Sequence, residues 1–89
     1  MKISDKKREK ILSQIVDFLF LSFPEPKFTS IISQEIARDE EFIKKLLIDL
    51  KNKKLIKEVK KSPKGIDYLR RSRWKLSNET YSIYKKRQN

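Results

Sequence analysis

The apolar residues of this 89-residue chain change their spacing after residue 50, and this change limits the folds that the chain can adopt. As far as Leu50 they recur every three or four positions, which is the spacing of one buried face of an α-helix. After that, Ile66, Tyr68, Trp74 and Leu76 share one parity, as the inward residues of a half-buried β-strand do. The pattern predicts a mainly α fold with a small β-hairpin (α+β), in a single domain over residues 1–89.

Capping, proline and turn residues set the boundaries of the predicted elements. Four helices are predicted, over residues 5–22, 30–37, 40–52 and 78–87. Their candidate N-caps are, in order, Ser4 or Asp5, Thr29 or Ser30, Asp39, and Ser77 or Asn78. Asn52 is the candidate left-handed residue at the end of the third helix. Two strands, over 55–61 and 67–77, flank the turn Ser62-Pro63-Lys64-Gly65, and Lys27-Phe28-Thr29 is a short extended segment.

The positive charge is confined to the C-terminal part of the chain. Residues 1–50 carry seven Lys and two Arg against nine acidic residues. Residues 51–89 carry ten Lys and four Arg against three acidic residues, which accounts for the whole net charge of +11. A charge confined to one part makes a directed positive field, which suits a polyanion such as nucleic acid. A solvated surface without a partner is the alternative.

The residue types that are missing exclude several functions. The sequence has no Cys and no His, which removes disulfides, thiolate zinc sites and the commonest general base. It also has no Gly-rich phosphate loop and no paired carboxylate site, so we expect neither an enzyme nor a cofactor. No run of about 20 apolar residues is present, so no membrane span is expected. An intracellular, cytoplasmic location fits the absence of Cys, and no small-molecule site is evident.

The order of the elements resembles the winged helix-turn-helix family of DNA-binding proteins over about residues 5–77. The matching positions are Ile36-Ala37, where a small Ala lets two helices approach, the core residues Phe42, Leu47 and Leu50, the helix exit Leu50–Ile56 and the wing segment Arg73–Ser77. Glu41 and Lys54 stand where the family commonly has Gly, so unusual backbone angles are expected at both. A small, Lys- and Ile-rich version without Cys is similar to regulators of archaea and their viruses.

The resemblance implies a three-helix core, a two-stranded wing and a short C-terminal helix. It also implies a sequence-specific transcriptional regulator that binds double-stranded DNA, with the third helix in the major groove and the wing on phosphates or in the minor groove. The residues expected to contact DNA are Ser30, Ser33, Lys44, Lys45, Ile48, Lys51, Asn52, Lys60, Lys61, Lys64, Arg70, Arg71 and Arg73.

Two other functions remain open from the sequence. The acidic start of the third helix, Asp39-Glu40-Glu41, would repel phosphates, and it favours a winged helix that contacts another protein. The basic hairpin could instead bind RNA or single strands without sequence preference, with Tyr68 or Trp74 stacking on bases. The alternation of the second strand places both aromatic residues on its apolar face, which predicts that they are buried.

The first and last helices carry more apolar side chains than one buried stripe needs. The residues concerned are Phe18, Phe20, Leu21, Tyr81 and Tyr84. In the winged-helix family the first and last helices often pair across a two-fold axis, so we expect these residues to form the interface of a homodimer. The alternative is that the last helix packs on the first within one chain.

Overall fold

The computed structural model describes residues 4–60 and 72–87, and these residues form four helices and three strands. The elements are α1 (Asp5–Ser22), β1 (Lys27–Phe28), α2 (Thr29–Ile36), α3 (Glu40–Asn52), β2 (Ile56–Val59), β3 (Arg73–Leu76) and α4 (Asn78–Arg87). The predicted α+β fold class is confirmed. The predicted turn at residues 62–65 lies outside the described residues, as do positions 61 and 67–71 of the predicted strands.

Side-chain caps fix the starts of three of these helices. The backbone N–H of Lys7 donates to the Ser4 hydroxyl over 3.3 Å, and that of Phe42 donates to the Asp39 carboxylate over 3.2 Å. At α4 the N–H of Thr80 donates to Ser77 Oγ over 3.2 Å. These contacts confirm the predicted caps, because each places a side-chain oxygen against a first-turn amide that has no partner within its helix.

The predicted cap of α2 is wrong. Phe28 occupies the N-cap position, and no side chain there accepts a hydrogen bond from the first turn. Thr29 is buried, and its hydroxyl accepts a 2.8 Å hydrogen bond from Nε1 of Trp74 in β3. The buried indole N–H needs an acceptor, so the Thr29 hydroxyl satisfies it instead of capping the helix.

Among residues 4–60 and 72–87, two residues other than glycine have left-handed backbone angles, Ala37 with φ 61° and Lys54 with φ 65°. Lys54 confirms the unusual angle expected there. Glu41 lies within the first turn of α3, so the unusual angle expected for it is wrong. Asn52 lies within the last turn of α3, so the left-handed conformation expected for it is also wrong. Ala37 is exposed and ends α2, and its N–H donates to the carbonyl of Gln34 over 3.3 Å. Ala37 is therefore a helix cap and not a small residue buried between two helices.

The core lies between α1, α2, α3 and the inner face of the sheet. Its buried members are Ile11, Ile15, Val16, Leu19, Ile32, Ile43, Leu46, Leu47, Leu50, Ile56, Trp74 and Leu76. Trp74 is completely buried, which confirms the interpretation of its alternation in the sequence. Phe42 is only half-buried against this cluster, and Ile43 takes the interior position of that turn.

The sheet has three antiparallel strands in the order β1-β3-β2, so β3 is its central strand. Ile56 lies opposite Leu76, and both face the core. Because successive residues point to opposite faces of a sheet, Arg73 and Lys75 lie on the outer face. The short extended segment predicted near residue 28 thus supplies a third strand to the predicted two-stranded wing.

The last helix packs against the first within one chain. The ring of Phe20 lies 5.1 Å from that of Tyr81 and 5.4 Å from that of Tyr84, between centroids. The Tyr84 hydroxyl also donates a 2.8 Å hydrogen bond to Asp17 of α1. This is the packing that the sequence left open as an alternative use of these aromatic residues. None of the described helices is long and apolar enough to cross a membrane.

Candidate nucleic-acid interface

One face of α3 collects five of the residues expected to contact DNA. These are Lys44, Lys45, Ile48, Lys51 and Asn52, all of them exposed. They lie outward because the opposite face of the helix is buried in the core. Ile48 is 42% exposed although it is apolar, so this face combines cations, an amide and an aliphatic side chain. Such a combination can contact phosphates and the edges of bases.

The two ends of α3 differ in charge. Asp39, Glu40 and Glu41 lie at its start, where carboxylates also favour the positive end of the helix dipole. Further along, Asp49 contacts Arg8 of α1 over 3.0 Å and Lys53 over 3.4 Å. The hydrogen bond from Arg8 lowers the pKa of the Asp49 carboxyl, with a smaller contribution from Lys53. The negative charge near the end of α3 is thus matched by cations of this chain.

A second carboxylate links α3 to the sheet. Glu58 of β2 accepts a 2.7 Å contact from Nζ of Lys51 and a hydrogen bond from the Ser72 hydroxyl, while Lys60 Nζ lies 4.0 Å away. Burial alone would raise the pKa of Glu58, but the hydrogen bonds from Lys51 and Ser72 hold it below its ordinary value. Lys51 is therefore held toward the sheet, and its charge is balanced within the chain.

The start of α2 has no side-chain cap, which matters for anion binding. The free N–H groups of a helix start, together with the helix dipole, attract anions such as phosphate. Ser30 is half-buried there. Ser33 is only 7% exposed, and its hydroxyl donates to the carbonyl of Ser30 over 2.9 Å. The two expected contact residues of α2 thus differ, since Ser33 lies largely inside the protein.

The basic residues of the hairpin lie only partly within the described chain. Lys60 is exposed, and Arg73 places its guanidinium 5.8 Å from the ring centroid of Phe28. The expected contact residues Lys61, Lys64, Arg70 and Arg71 lie outside the described residues. The outer face of the sheet also carries Lys57 and Lys75, which lie directly opposite each other. Neither was among the expected contact residues, although the alternation of β3 placed Lys75 on its outer side.

The apolar surplus of α1 and α4 is partly used within the chain. Phe18, Phe20, Tyr81 and Tyr84 are half-buried against the core, whereas Leu21 is 81% exposed. Ile83 of α4 is 58% exposed and was not predicted, although it is the only aliphatic residue of that helix. It lines a groove of about 390 Å³ together with apolar residues of α1 and α3 and of the turn after α3, namely Leu12, Val16, Leu50 and Leu55.

Titratable side chains form no recognisable reactive or metal-binding cluster in the part of the chain that the structure describes. There, no three His, Cys, Asp or Glu side chains come together in a way that could hold a metal ion. The carboxylates with the closest partners, Asp49 and Glu58, are engaged by cations.

Several solved structures share this fold at low sequence identity. A crystal structure of a MepR–DNA complex from S. aureus matches with a TM-score of 0.72 and 18% identity, over 94% of this chain and 68% of that one. A putative DNA-binding protein from Ralstonia eutropha matches with a TM-score of 0.70 and 12% identity, over 90% and 96%. The transcriptional regulator PcaV from Streptomyces coelicolor, in complex with its natural ligand, matches with a TM-score of 0.62 and 17% identity, over 93% and 51%.

The likeness defines the fold, which is that of winged-helix regulators. The chain spans about half the length of some of these proteins, 53% in the case of a MepR mutant from S. aureus. No family model matches the sequence, and no curated protein sequence matches it either.

Proposed function

We propose that this chain is a transcriptional regulator that binds double-stranded DNA in a sequence-specific manner. The observation that carries the proposal is the outward face of α3, where Lys44, Lys45, Ile48 and Asn52 are exposed together. The two lysines would contact phosphates or guanine, Ile48 would contact a thymine methyl group, and Asn52 would contact adenine. The likeness to MepR, which has been crystallised with DNA, supports a nucleic-acid partner for a chain of this fold.

The remaining contacts would lie on both sides of α3. The uncapped start of α2 would receive a phosphate beside Ser30, and Lys60 and Arg73 would bind phosphates from the base of the wing. Lys51, Ser33 and the four basic residues at 61, 64, 70 and 71 complete the proposed set. Lys51 would contribute only if the DNA competes with Glu58 for its ammonium group.

Binding to several nucleic acids across a salt series tests this proposal. The protein is titrated into labelled 24-base-pair duplexes of random sequence, single-stranded DNA and double-stranded RNA, and fluorescence anisotropy is followed at several KCl concentrations. We expect tightest binding to duplex DNA and a steep loss of affinity with salt, because the contacts release counterions. Failure to bind the duplex at low salt would refute the proposal, and tighter binding to single strands would favour the stacking alternative.

Variants of α3 then separate affinity from specificity. Lys44→Gln with Lys45→Gln should lower the magnitude of the salt slope by roughly 1.8, because each phosphate contact contributes about 0.9. Asn52→Ala should change the base preferences obtained by selection from a random duplex library and leave the slope almost unchanged. Lys85→Gln with Lys86→Gln removes the same charge from the exposed end of α4 and serves as the control.

We also propose that the protein forms a homodimer through α1 and α4. Large exposed apolar side chains on a small soluble domain mark contact surfaces, and Leu21 and Ile83 are the most exposed of those described. Phe18, Phe20, Tyr81 and Tyr84 would contribute their half-buried edges. Sedimentation at micromolar concentration should show twice the mass of one chain, and Leu21→Glu with Ile83→Glu should give monomers. A monomeric wild-type protein would refute this proposal.

A further inference from the structure

The outer face of the sheet has a pair of like charges at its centre. Lys57 of β2 and Lys75 of β3 are direct cross-strand partners, and Val59 lies opposite Arg73 on the same face. Directly opposite residues have Cβ atoms about 5 Å apart, and like charges in such a pair destabilise a sheet. Folding alone gives no reason for this arrangement.

No carboxylate of the described residues balances the two ammonium groups. Glu58, the acidic residue nearest to Lys57 in the sequence, lies on the other face of the sheet, where it contacts Lys51 and Ser72. Asp49 contacts Arg8 and Lys53 at the end of α3. The described ion pairs therefore leave both Lys57 and Lys75 without an anionic partner.

Protection of an exposed strand edge does not explain the pair either. Lysines do guard edge strands against pairing with other chains, and β2 is an edge strand. Lys75, however, belongs to β3, the central strand, which pairs with β2 from Arg73 to Leu76 and with β1 at Arg73 and Trp74. Its side chain is half-buried on that face. Edge protection by Lys57 on β2 requires no second ammonium group at the position directly opposite it.

We propose that Lys57 and Lys75, with Arg73 beside them, form a phosphate-binding site for a nucleic-acid backbone, distinct from the contacts proposed for α3 and for Lys60. Arg73 lies two residues from Lys75 along β3, about 7 Å away on the same face. One backbone phosphate bound to each of the two ammonium groups offsets the repulsion between them, so relief of this repulsion adds to the binding free energy. This inference rests on the proposed function, because it assigns a second contact to the same nucleic acid.

The site lies within reach of a duplex that is held by α3. Lys57 follows Asn52, the last residue of α3, by five positions, and five residues span at most about 18 Å. Double-stranded DNA carries one charge for about every 1.7 Å of its axis, so phosphates are available throughout that distance. The distance between α3 and the sheet site is therefore short compared with the length of the 24-base-pair duplex used above.

The test compares two double variants of equal charge. Lys57→Gln with Lys75→Gln is measured against Lys85→Gln with Lys86→Gln, which changes the end of α4, using the random 24-base-pair duplex and a KCl series. The sheet variant should lower the magnitude of the salt slope by roughly 1.8 and weaken binding about 60-fold at 0.1 M salt. The control should bind like the wild-type protein. The melting temperature of the free sheet variant should be unchanged or higher, because a repulsion is removed.

The outcomes separate this inference from the proposed function. If the wild-type protein binds the duplex and the sheet variant has the same slope, the sheet site is refuted and the function stands. If the wild-type protein does not bind, both fail. A lower melting temperature of the sheet variant would assign the lysines a structural role and overturn the inference. Lys57→Gln alone, at an exposed edge position, repeats the test with an expected slope change of roughly 0.9.

Discussion

The hydrogen bond between Trp74 and Thr29 should be the most sensitive polar contact of the fold. The indole Nε1 of Trp74 donates to the Thr29 hydroxyl over 2.8 Å, in a region where Trp74 is completely buried and Thr29 is 8% exposed. The contact joins the central strand to the start of α2. Thr29→Val removes the acceptor and keeps the size and branching of the side chain, so it isolates the hydrogen bond.

The expected loss of stability in Thr29→Val follows from the indole N–H of Trp74, which this substitution leaves without an acceptor. A buried N–H that loses its acceptor costs about 1–3 kcal/mol of unfolding free energy. In a domain of 60–100 residues, each kcal/mol shifts the melting temperature by about 4–8 °C. With about 2 kcal/mol lost, we expect Thr29→Val to melt about 12 °C below the wild-type protein. The described residues contain no buried side-chain N or O atom without a partner, so the variant would create a defect that this part of the fold otherwise avoids.

Urea unfolding followed by far-ultraviolet circular dichroism measures the loss, because this signal does not depend on the tryptophan. Trp74→Phe provides the matched background, since it removes the donor itself. There, Thr29→Val leaves no indole unpaired and should cost less than about 0.5 kcal/mol, although Trp74→Phe destabilises through lost packing. An equal cost of Thr29→Val in both backgrounds would refute the assignment of stability to this hydrogen bond.

Three further predictions concern local features of the backbone and of one carboxylate. Lys54→Gly should stabilise the protein by about 0.5–1 kcal/mol in thermal unfolding because φ is positive there, whereas Lys53→Gly, at φ −82°, should not. Asp39→Ala should cost about 1 kcal/mol through the loss of the α3 cap, which urea unfolding would detect. Because the folded pKa of Glu58 is lowered, its contribution to stability is present above its unfolded pKa and is lost as the pH falls through the folded value. Melting temperatures between pH 6 and 3 should therefore fall less for Glu58→Gln than for the wild-type protein.

The sequence predicts the elements of this fold well where one signal dominates. The bounds of α1, α3 and α4 agree with the prediction. Each of these helices combines a capping side chain, such as Asp39 before α3, with either a clear apolar stripe or residues that mark its end. The start of α2 was predicted incorrectly, because the hydroxyl of Thr29 is taken by Trp74, a residue 45 positions away. Local capping rules cannot foresee a competing partner that only the tertiary fold brings near.

The left-handed positions show a similar limit. Asn52 has the better intrinsic preference for that conformation, yet Lys54 adopts it. The chain must turn from α3 into β2 so that Ile56 enters the core, and the position of the turn is set by that packing. The free-energy cost of a positive φ at a Lys is smaller than the free energy gained by burying an isoleucine side chain.

The candidate interface was predictable in its residue types and less so in its arrangement. The count of charges located the cations in the C-terminal part, and the helical period placed Lys44 and Lys45 outward. The pairing of Lys57 with Lys75 depends on the register of β2 and β3, which connects residues 18 positions apart. A sequence shows which residues alternate along a strand but not which residue stands opposite, so the like-charge pair could not be predicted.

The internal ion pairs change which cations we expect to contribute most to binding. Lys51 and Lys53 lie at the end of α3, but the carboxylates of Glu58 and Asp49 engage them. A phosphate that approached either lysine would have to displace a carboxylate that is already bound, so the gain from that contact is small. Among the described residues, no carboxylate pairs with the sheet lysines Lys57 and Lys75, and phosphates bound there also offset their mutual repulsion. We therefore expect the backbone affinity of this domain to come more from the sheet and wing than from the end of α3.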